Sequence, residues 1–174
     1  MRHTLNLALL TALAPTTAAY ATTYMSVEQA QAALFPGEIL HPQFRQLTPA
    51  QMSTIAHDAG DAPLSPDLKA WRASGGGWFI LDQVVGKHEF ITYAVALDGK
   101  GAVKSIEILD YRETYGSQVR DPRWRAQFTG KRAGQPLRLG NEVQNISGAT
   151  LSSKHVTDGV RRVLATYAIV LANG

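Results

Sequence analysis

The stretch Gln144-Asn145-Ile146-Ser147-Gly148-Ala149-Thr150-Leu151-Ser152-Ser153 joins small and hydroxylic residues directly to an amphipathic helix pattern. A helix start leaves backbone N–H groups unpaired and carries a partial positive charge, which suits a phosphate. Gly148 and Ala149 let such a group approach the backbone, and Thr150 sets a hydroxyl at the same point. Leu151, Ser152 and Ser153 complete the first turn. No base stands at a recognisable spacing from Ser152 or Ser153, and Ser147 is not in a Gly-x-Ser-x-Gly elbow. An unassisted threonine hydroxyl is a poor nucleophile. No catalytic residue is therefore assigned.

Other chemistries are excluded by what the chain lacks. It has no cysteine. That removes c-type haem attachment, Cys-ligated iron–sulfur clusters and thiol redox chemistry. There is no Gly-x-Gly-x-x-Gly after a strand and no Walker A sequence. Gly75-Gly76-Gly77 precedes a strand, so it reads as a turn. His41, His57, His88 and His155 have no metal-ligand spacing and read as surface or capping residues, so no metal site is expected. His155, one turn beyond Thr150, is the one that could approach a bound phosphate. The net charge is only +3, which does not argue for nucleic acid. Arg120, Arg123 and Arg125 form either a solvated face or a docking surface for an acidic partner.

The elements that must position these residues follow from periodicity and punctuation. Ser26–Leu34 reads as a helix capped by Ser26 and stopped by Phe35-Pro36-Gly37. Thr48–His57 reads as a second, with Pro49 at its first position and Gly60 past its end. Residues 58–77 are loop-rich, with a small helix predicted around Pro66–Arg72. Trp78–Val85, His88–Leu97 and Val103–Leu109 read as three antiparallel strands joined by tight turns. Pro122–Phe128 reads as a short helix, and Leu137–Leu139 as an edge strand or an extended lead-in. From Leu151 to Ala172, Val156, Val160, Val163, Leu164, Tyr167 and Leu171 recur at three- and four-residue spacing. The expected fold is α+β: an antiparallel sheet of several strands covered by helices, with the C-terminal helix packed on the sheet.

The chain opens Met1-Arg2-His3, continues with an apolar run from Leu5 to Ala14, and reaches a small-residue stretch ending Ala19-Tyr20-Ala21. That is the three-part layout of a secretory signal peptide, with cleavage expected after Ala21. The run is too short to span a bilayer as a helix. The mature protein is thus expected to be soluble and periplasmic or otherwise exported. One domain's worth of chain remains.

Ser147-Gly148-Ala149-Thr150 resembles the flavinylation motif of the FMN-binding domain family. That family includes the FMN-carrying subunits of the sodium-pumping NADH:quinone reductase and of the Rnf electron-transport complex. The resemblance implies FMN joined to Thr150 by a phosphodiester bond. It also implies a separate magnesium-dependent flavin transferase that uses FAD as donor. Glu113-Thr114-Tyr115-Gly116 resembles the family's Glu-Thr-Pro-Gly segment, with tyrosine in place of proline, and implies a loop near the flavin. Gly116 would permit close approach there, and Thr114 would hydrogen-bond the ring. Trp124 to Lys131 is also similar to the family. The likeness covers roughly residues 78–172. The domain reading is a signal peptide at 1–21, a helical and loop extension at 22–77, and an FMN-binding domain at 78–174. One departure is Gln144, where the family carries an acidic residue that aids the transferase. The function implied is an exported flavoprotein relaying electrons through covalent FMN to a membrane-associated redox partner. It would be a relay rather than an enzyme with its own substrate. The alternative, favoured by Gln144, is an exported binding module of this fold without flavin.

Overall fold

Local sequence writes the first two helices plainly in the computed structural model, which describes residues 22–173. The N-terminal run expected as a signal peptide lies outside the described residues. Helix α1 (Val27–Leu34) begins at Ser26 with a complete capping box: the Gln29 N–H donates to Ser26 Oγ, and the Ser26 N–H donates to Gln29 Oε1. Helix α2 (Pro49–Ala59) repeats the arrangement with Thr48 and Gln51. It ends on Gly60, whose φ of 66° is the left-handed conformation that glycine adopts without strain.

Seven strands form an antiparallel sheet. They are β1 (Thr22–Thr23), β2 (Leu40–Pro42), β3 (Arg45–Gln46), β4 (Asp67–Ala73), β5 (Trp78–Val85), β6 (Phe90–Leu97) and β7 (Val103–Tyr111). The order is β1-β7-β6-β5-β4-β2, with β3 also pairing to β4. The expected meander of three strands is β5–β6–β7. Its register irregularities fall between Thr92 and Tyr93 and between Ala96 and Leu97.

The segment around Pro66–Arg72 is not the small helix that its Leu, Lys, Ala and Arg residues predict. It is β4, pairing with Trp78–Leu81 of β5 on one side and with β2 and β3 on the other. Leu68, Ala70 and Ala73 are buried while Asp67 and Lys69 are exposed. Helix propensity is a weak prior, and neighbours on both edges override it. Residues 22–77, read as helices and loops, thus also supply β1, β2, β3 and β4. Leu137–Leu139 forms no strand, and Leu139 makes only an isolated bridge with Val143.

The short helix expected at Pro122–Phe128 divides into α3 (Pro122–Arg125) and a 3-10 turn, Ala126–Phe128. Helix α4 (Thr150–Thr166) continues into a π-helical turn, Tyr167–Leu171. It lies on one face of the sheet, where Val156, Val160, Val163 and Leu164 share a core with Ile80, Val84, Tyr93, Val95, Ile106 and Ile108. Helix α1 covers part of the other face through Ala30, Leu34 and Phe35. The fold is α+β, with the C-terminal helix packed on the sheet. Among the described residues no helix is long and apolar enough to cross a membrane.

Two features fix α4 against the sheet. Gly159 has no Cβ, and one built there would collide with the Tyr93 hydroxyl and meet Val84 Cγ1 at 2.7 Å. The helix therefore approaches β5 and β6 closely at this point. Three residues on, the Arg162 side chain is only 3% exposed. Its Nη2 lies 2.7 Å from both Asp82 Oδ2 and the Gln83 carbonyl, and its Nη1 pairs with Asp61. Burial alone would disfavour this guanidinium's charge. Tyr93, Asp82 and Asp61 outweigh it and raise its pKa.

Candidate functional site

Helix α4 starts without a cap. Its N-cap residue is Ala149, and no side chain accepts from the N–H groups of its first turn. The Ser153 N–H is taken by the Ala149 carbonyl. The three N–H groups ahead of it, of Thr150, Leu151 and Ser152, have no intrahelical acceptor by the geometry of a helix start. Thr150 is the first helical residue, exposed, and its Oγ1 accepts a hydrogen bond from Asn145 Nδ2 at 3.1 Å. Gly148 has φ 79°, and a Cβ there would meet nothing within 4 Å. The requirement is thus on its backbone rather than on space: the left-handed turn brings the chain round to the helix. Ser147 is exposed.

The approach to this start is clamped. Trp124 Nε1 donates to the Gln144 carbonyl at 2.8 Å, and the Gln144 N–H donates to Gln127 Oε1 at 2.8 Å. The Trp124–Phe128 segment thereby holds the strand of chain that precedes Thr150. The Gln144 side chain takes no part in this and is exposed.

The loop after β7 locks onto the same helical turn. Tyr111, buried at the end of β7, shares a hydrogen bond with Ser152 Oγ at 2.8 Å and donates to the Tyr115 carbonyl. Burial raises the Tyr111 hydroxyl's pKa against the opposing bond to Ser152, so the group stays a neutral donor. Gly116 (φ 101°) sits over this junction, where a Cβ would meet Tyr111 Oη and Ser152 Oγ. Its close approach is to protein groups, and it does not line the cavity described below. Ser153 is fully buried, and its Oγ donates to the Ala149 carbonyl.

Glu113 reaches back to the β5–β6 turn. Its Oε1 accepts from the His88 N–H at 2.5 Å and the Glu89 N–H at 3.0 Å. Gly86 makes room, since a Cβ there would sit 2.5 Å from that oxygen. Burial works against the charge of this carboxylate. The backbone donors at Glu89, His88 and Lys87 outweigh it and hold its pKa below the ordinary value.

These three segments enclose a cavity of about 480 Å³, lined by Lys87-His88, by Glu113-Thr114-Tyr115, and by Gly148 through Ser152. Its size falls within the range of small-molecule sites. The structure therefore brings Glu113, Thr114, Tyr115, Gly148, Ala149, Thr150, Leu151 and Ser152 together, and sets Gly116, Ser147 and Ser153 outside the lining. Thr114 and Tyr115 are exposed, Tyr115 at 81%. The lining fits an anionic phosphate with an aromatic body: bare N–H groups and a hydroxyl at the helix start share the cavity with one exposed aromatic ring. Among the described residues Thr150 Oγ1 has only an amide as hydrogen-bond partner.

His88, read as a surface residue, lines the cavity, as does Lys87. No motif marks either one. They arrive through the hairpin turn, and the only local signal was Gly86, the position that lets Glu113 close in. His155 is absent from the lining. It faces a separate small cleft with Asp61, Val84, Asp158 and Arg162. The arginine cluster is largely committed within the chain: Arg125 pairs with Glu107, Arg123 with Asp121, and Arg120 lies 3.3 Å over the Tyr24 ring. No group of three or more potential metal ligands occurs among the described residues.

Comparison with known proteins converges on the same segment. Residues 86–165 match the family model described as FMN-binding domain. The chain is also similar to a component of the Na(+)-translocating ferredoxin:NAD(+) oxidoreductase complex of Acetobacterium woodii, with 34% identity over 80 residues. That likeness covers 41% of this chain and 39% of the relative, so the chain spans about two fifths of the length of the curated protein it matches.

Proposed function

We propose that this chain, whose residues 86–165 match the FMN-binding domain model, is an exported flavoprotein that relays electrons through FMN joined to Thr150 by a phosphodiester bond. One observation carries the reading. Thr150 is the first residue of an uncapped helix and lines a ligand-sized cavity. A phosphate there would meet free N–H groups and the positive end of the helix. Asn145 holds the hydroxyl in place, Trp124 and Gln127 hold the approaching backbone, and the Tyr111–Ser152 bond holds the loop that carries Thr114 and Tyr115. FMN would supply transfer of electrons singly or in pairs, and the protein would hold the ring and shape its surroundings.

Attachment falls to a separate magnesium-dependent flavin transferase with FAD as donor, as the resemblance of Ser147-Gly148-Ala149-Thr150 to the flavinylation motif implies. The relative's name places it in an oxidoreductase complex, which supports a membrane-associated redox partner for this chain. The second reading, a flavin-free binding module, rests on Gln144, which stands where the family has an acidic residue. The test is co-expression with a flavin transferase in the exported compartment. The wild-type chain should gain the mass of FMN and a visible spectrum that survives denaturation. Thr150→Ala should show neither. An FMN increment that persists on the variant overturns the assignment, and a colourless wild-type chain supports the binding module.

A further inference from the structure

The cavity has a wall that the motif residues do not account for. Lys87 and His88 stand on the β5–β6 turn and line the same cavity as the helix start. Among the described residues the Lys87 ammonium has no ion-pair partner. The carboxylate that lines the same cavity, Glu113, does not neutralise it by direct pairing. Its oxygen Oε1 is occupied by the N–H groups of His88 and Glu89, at the point where Gly86 lets the turn close around it. Glu113 thus belongs to the wall as the pin that fixes the turn.

We infer that Lys87, held in place by Glu113, is an electrostatic partner for the negative charge that a flavin ring acquires on reduction. The inference rests on the FMN reading above and deepens it. Two electrons and one proton added to a neutral oxidised ring leave a reduced ring with one negative charge. The electrons come from the redox donor, which is dithionite in the experiment below. A fixed ammonium at the cavity wall favours that charged product over the neutral oxidised ring, because charges interact more strongly where water is partly excluded. The bare start of α4, which lines the same cavity, adds positive potential. Lys87 therefore sets how readily the ring is reduced. Glu113 acts through Lys87 and is a positioning residue.

The experiment measures the midpoint potential of the FMN-loaded chain and its variants. Lys87→Met keeps the stem and removes the charge. It should retain the FMN mass increment and the melting temperature, while the reduced form becomes about tenfold less favoured, which is about 30 mV more negative for a two-electron couple. Lys87→Arg should restore most of the difference. Glu113→Ala removes a negative charge from the same wall as well as the pin. In the Lys87→Met background it should therefore raise the potential by the charge alone. In the Lys87 background it should raise it by less, because the released Lys87 offsets part of the gain. Equal shifts in the two backgrounds overturn the positioning role of Glu113. A Lys87→Met potential equal to wild type overturns the inference and leaves covalent attachment intact. The chain without covalent flavin gives a second measurement: titration with free FMN, oxidised and then dithionite-reduced. The wild-type preference for reduced FMN should fall about tenfold in Lys87→Met, the same linkage read as affinity. An unchanged ratio also overturns it. A wild-type chain that neither attaches nor binds FMN overturns the underlying reading and this inference together.

Discussion

The starts of α1 and α2 and the start of α4 solve the same problem in opposite ways. Each of the first two has a Ser or Thr cap and a Gln three residues on, so two donors are satisfied from within. Helix α4 is the longest of the described helices and has no side-chain cap at all. A cap is worth about 1 kcal/mol. Each large aliphatic side chain that α4 buries is worth about 1.5–3 kcal/mol, and it buries Val156, Val160, Val163 and Leu164. The body of the helix is thus anchored well enough for its first turn to stay bare. The difference teaches that an open helix start is a choice made at one end of an element and supported at the other.

The strongest way to break that comparison is to weaken the anchor. Arg162→Met removes a buried cation and leaves Asp82 and Asp61 without their partner. Loss of one partner of a buried pair costs about 3–5 kcal/mol. Urea unfolding should show a loss of that order, and near-wild-type stability would show that α4 is held by its apolar stripe alone.

A smaller effect sharpens it by exchanging the two kinds of start. Thr48→Ala removes the α2 cap and should cost about 1 kcal/mol in thermal unfolding, with covalent FMN unaffected. Ala149→Asp supplies α4 with the cap and charge it lacks. It should reduce FMN attachment, because the new carboxylate competes for the same N–H groups, and because Ala149 is buried the flavin-free chain should gain no stability from it. Attachment at the wild-type rate would mean that the bare start is not what receives the phosphate.

The smallest effect concerns the pin at Glu113. Its folded pKa is depressed below the ordinary 4.5. Its contribution is therefore fully present above that value and is lost as pH falls through the folded pKa. Glu113→Gln should be less stable than wild type near neutrality, and the gap should close below pH 4.5. A gap that is constant down to the lowest pH at which both fold would remove the carboxylate from the turn's support.

What the sequence made legible was what depends on neighbours in the chain. The capping boxes at Ser26 and Thr48, the proline at 49 and the glycine at 60 act within one helical turn, and they read correctly. So did β5, β6 and β7, whose apolar, β-branched and aromatic residues suit a sheet covered on both faces. The segments 113–115 and 148–152, which meet at the cavity, could each be singled out in the sequence because each is contiguous, whereas Gly116, Ser147 and Ser153, singled out with them, lie outside its lining. β4 was misread because Leu68, Lys69, Ala70 and Arg72 suit a helix, while its strand state is set by β5 on one edge and β2 and β3 on the other. Lys87 and His88 were missed for a related reason. Their place in the cavity comes from a hairpin closing on a carboxylate some 25 residues further along the chain.

The cavity's three walls carry a consequence for the order of events in folding. Residues 86–88, 113–115 and 148–152 meet only after β5, β6 and β7 have paired and α4 has docked across them. The hairpins are local and form early, whereas the docking of α4 closes a long loop and comes late in such topologies. Any group that recognises this cavity recognises a finished tertiary structure, so a cofactor fixed at Thr150 would serve as a permanent record that the molecule carrying it had once reached its native state.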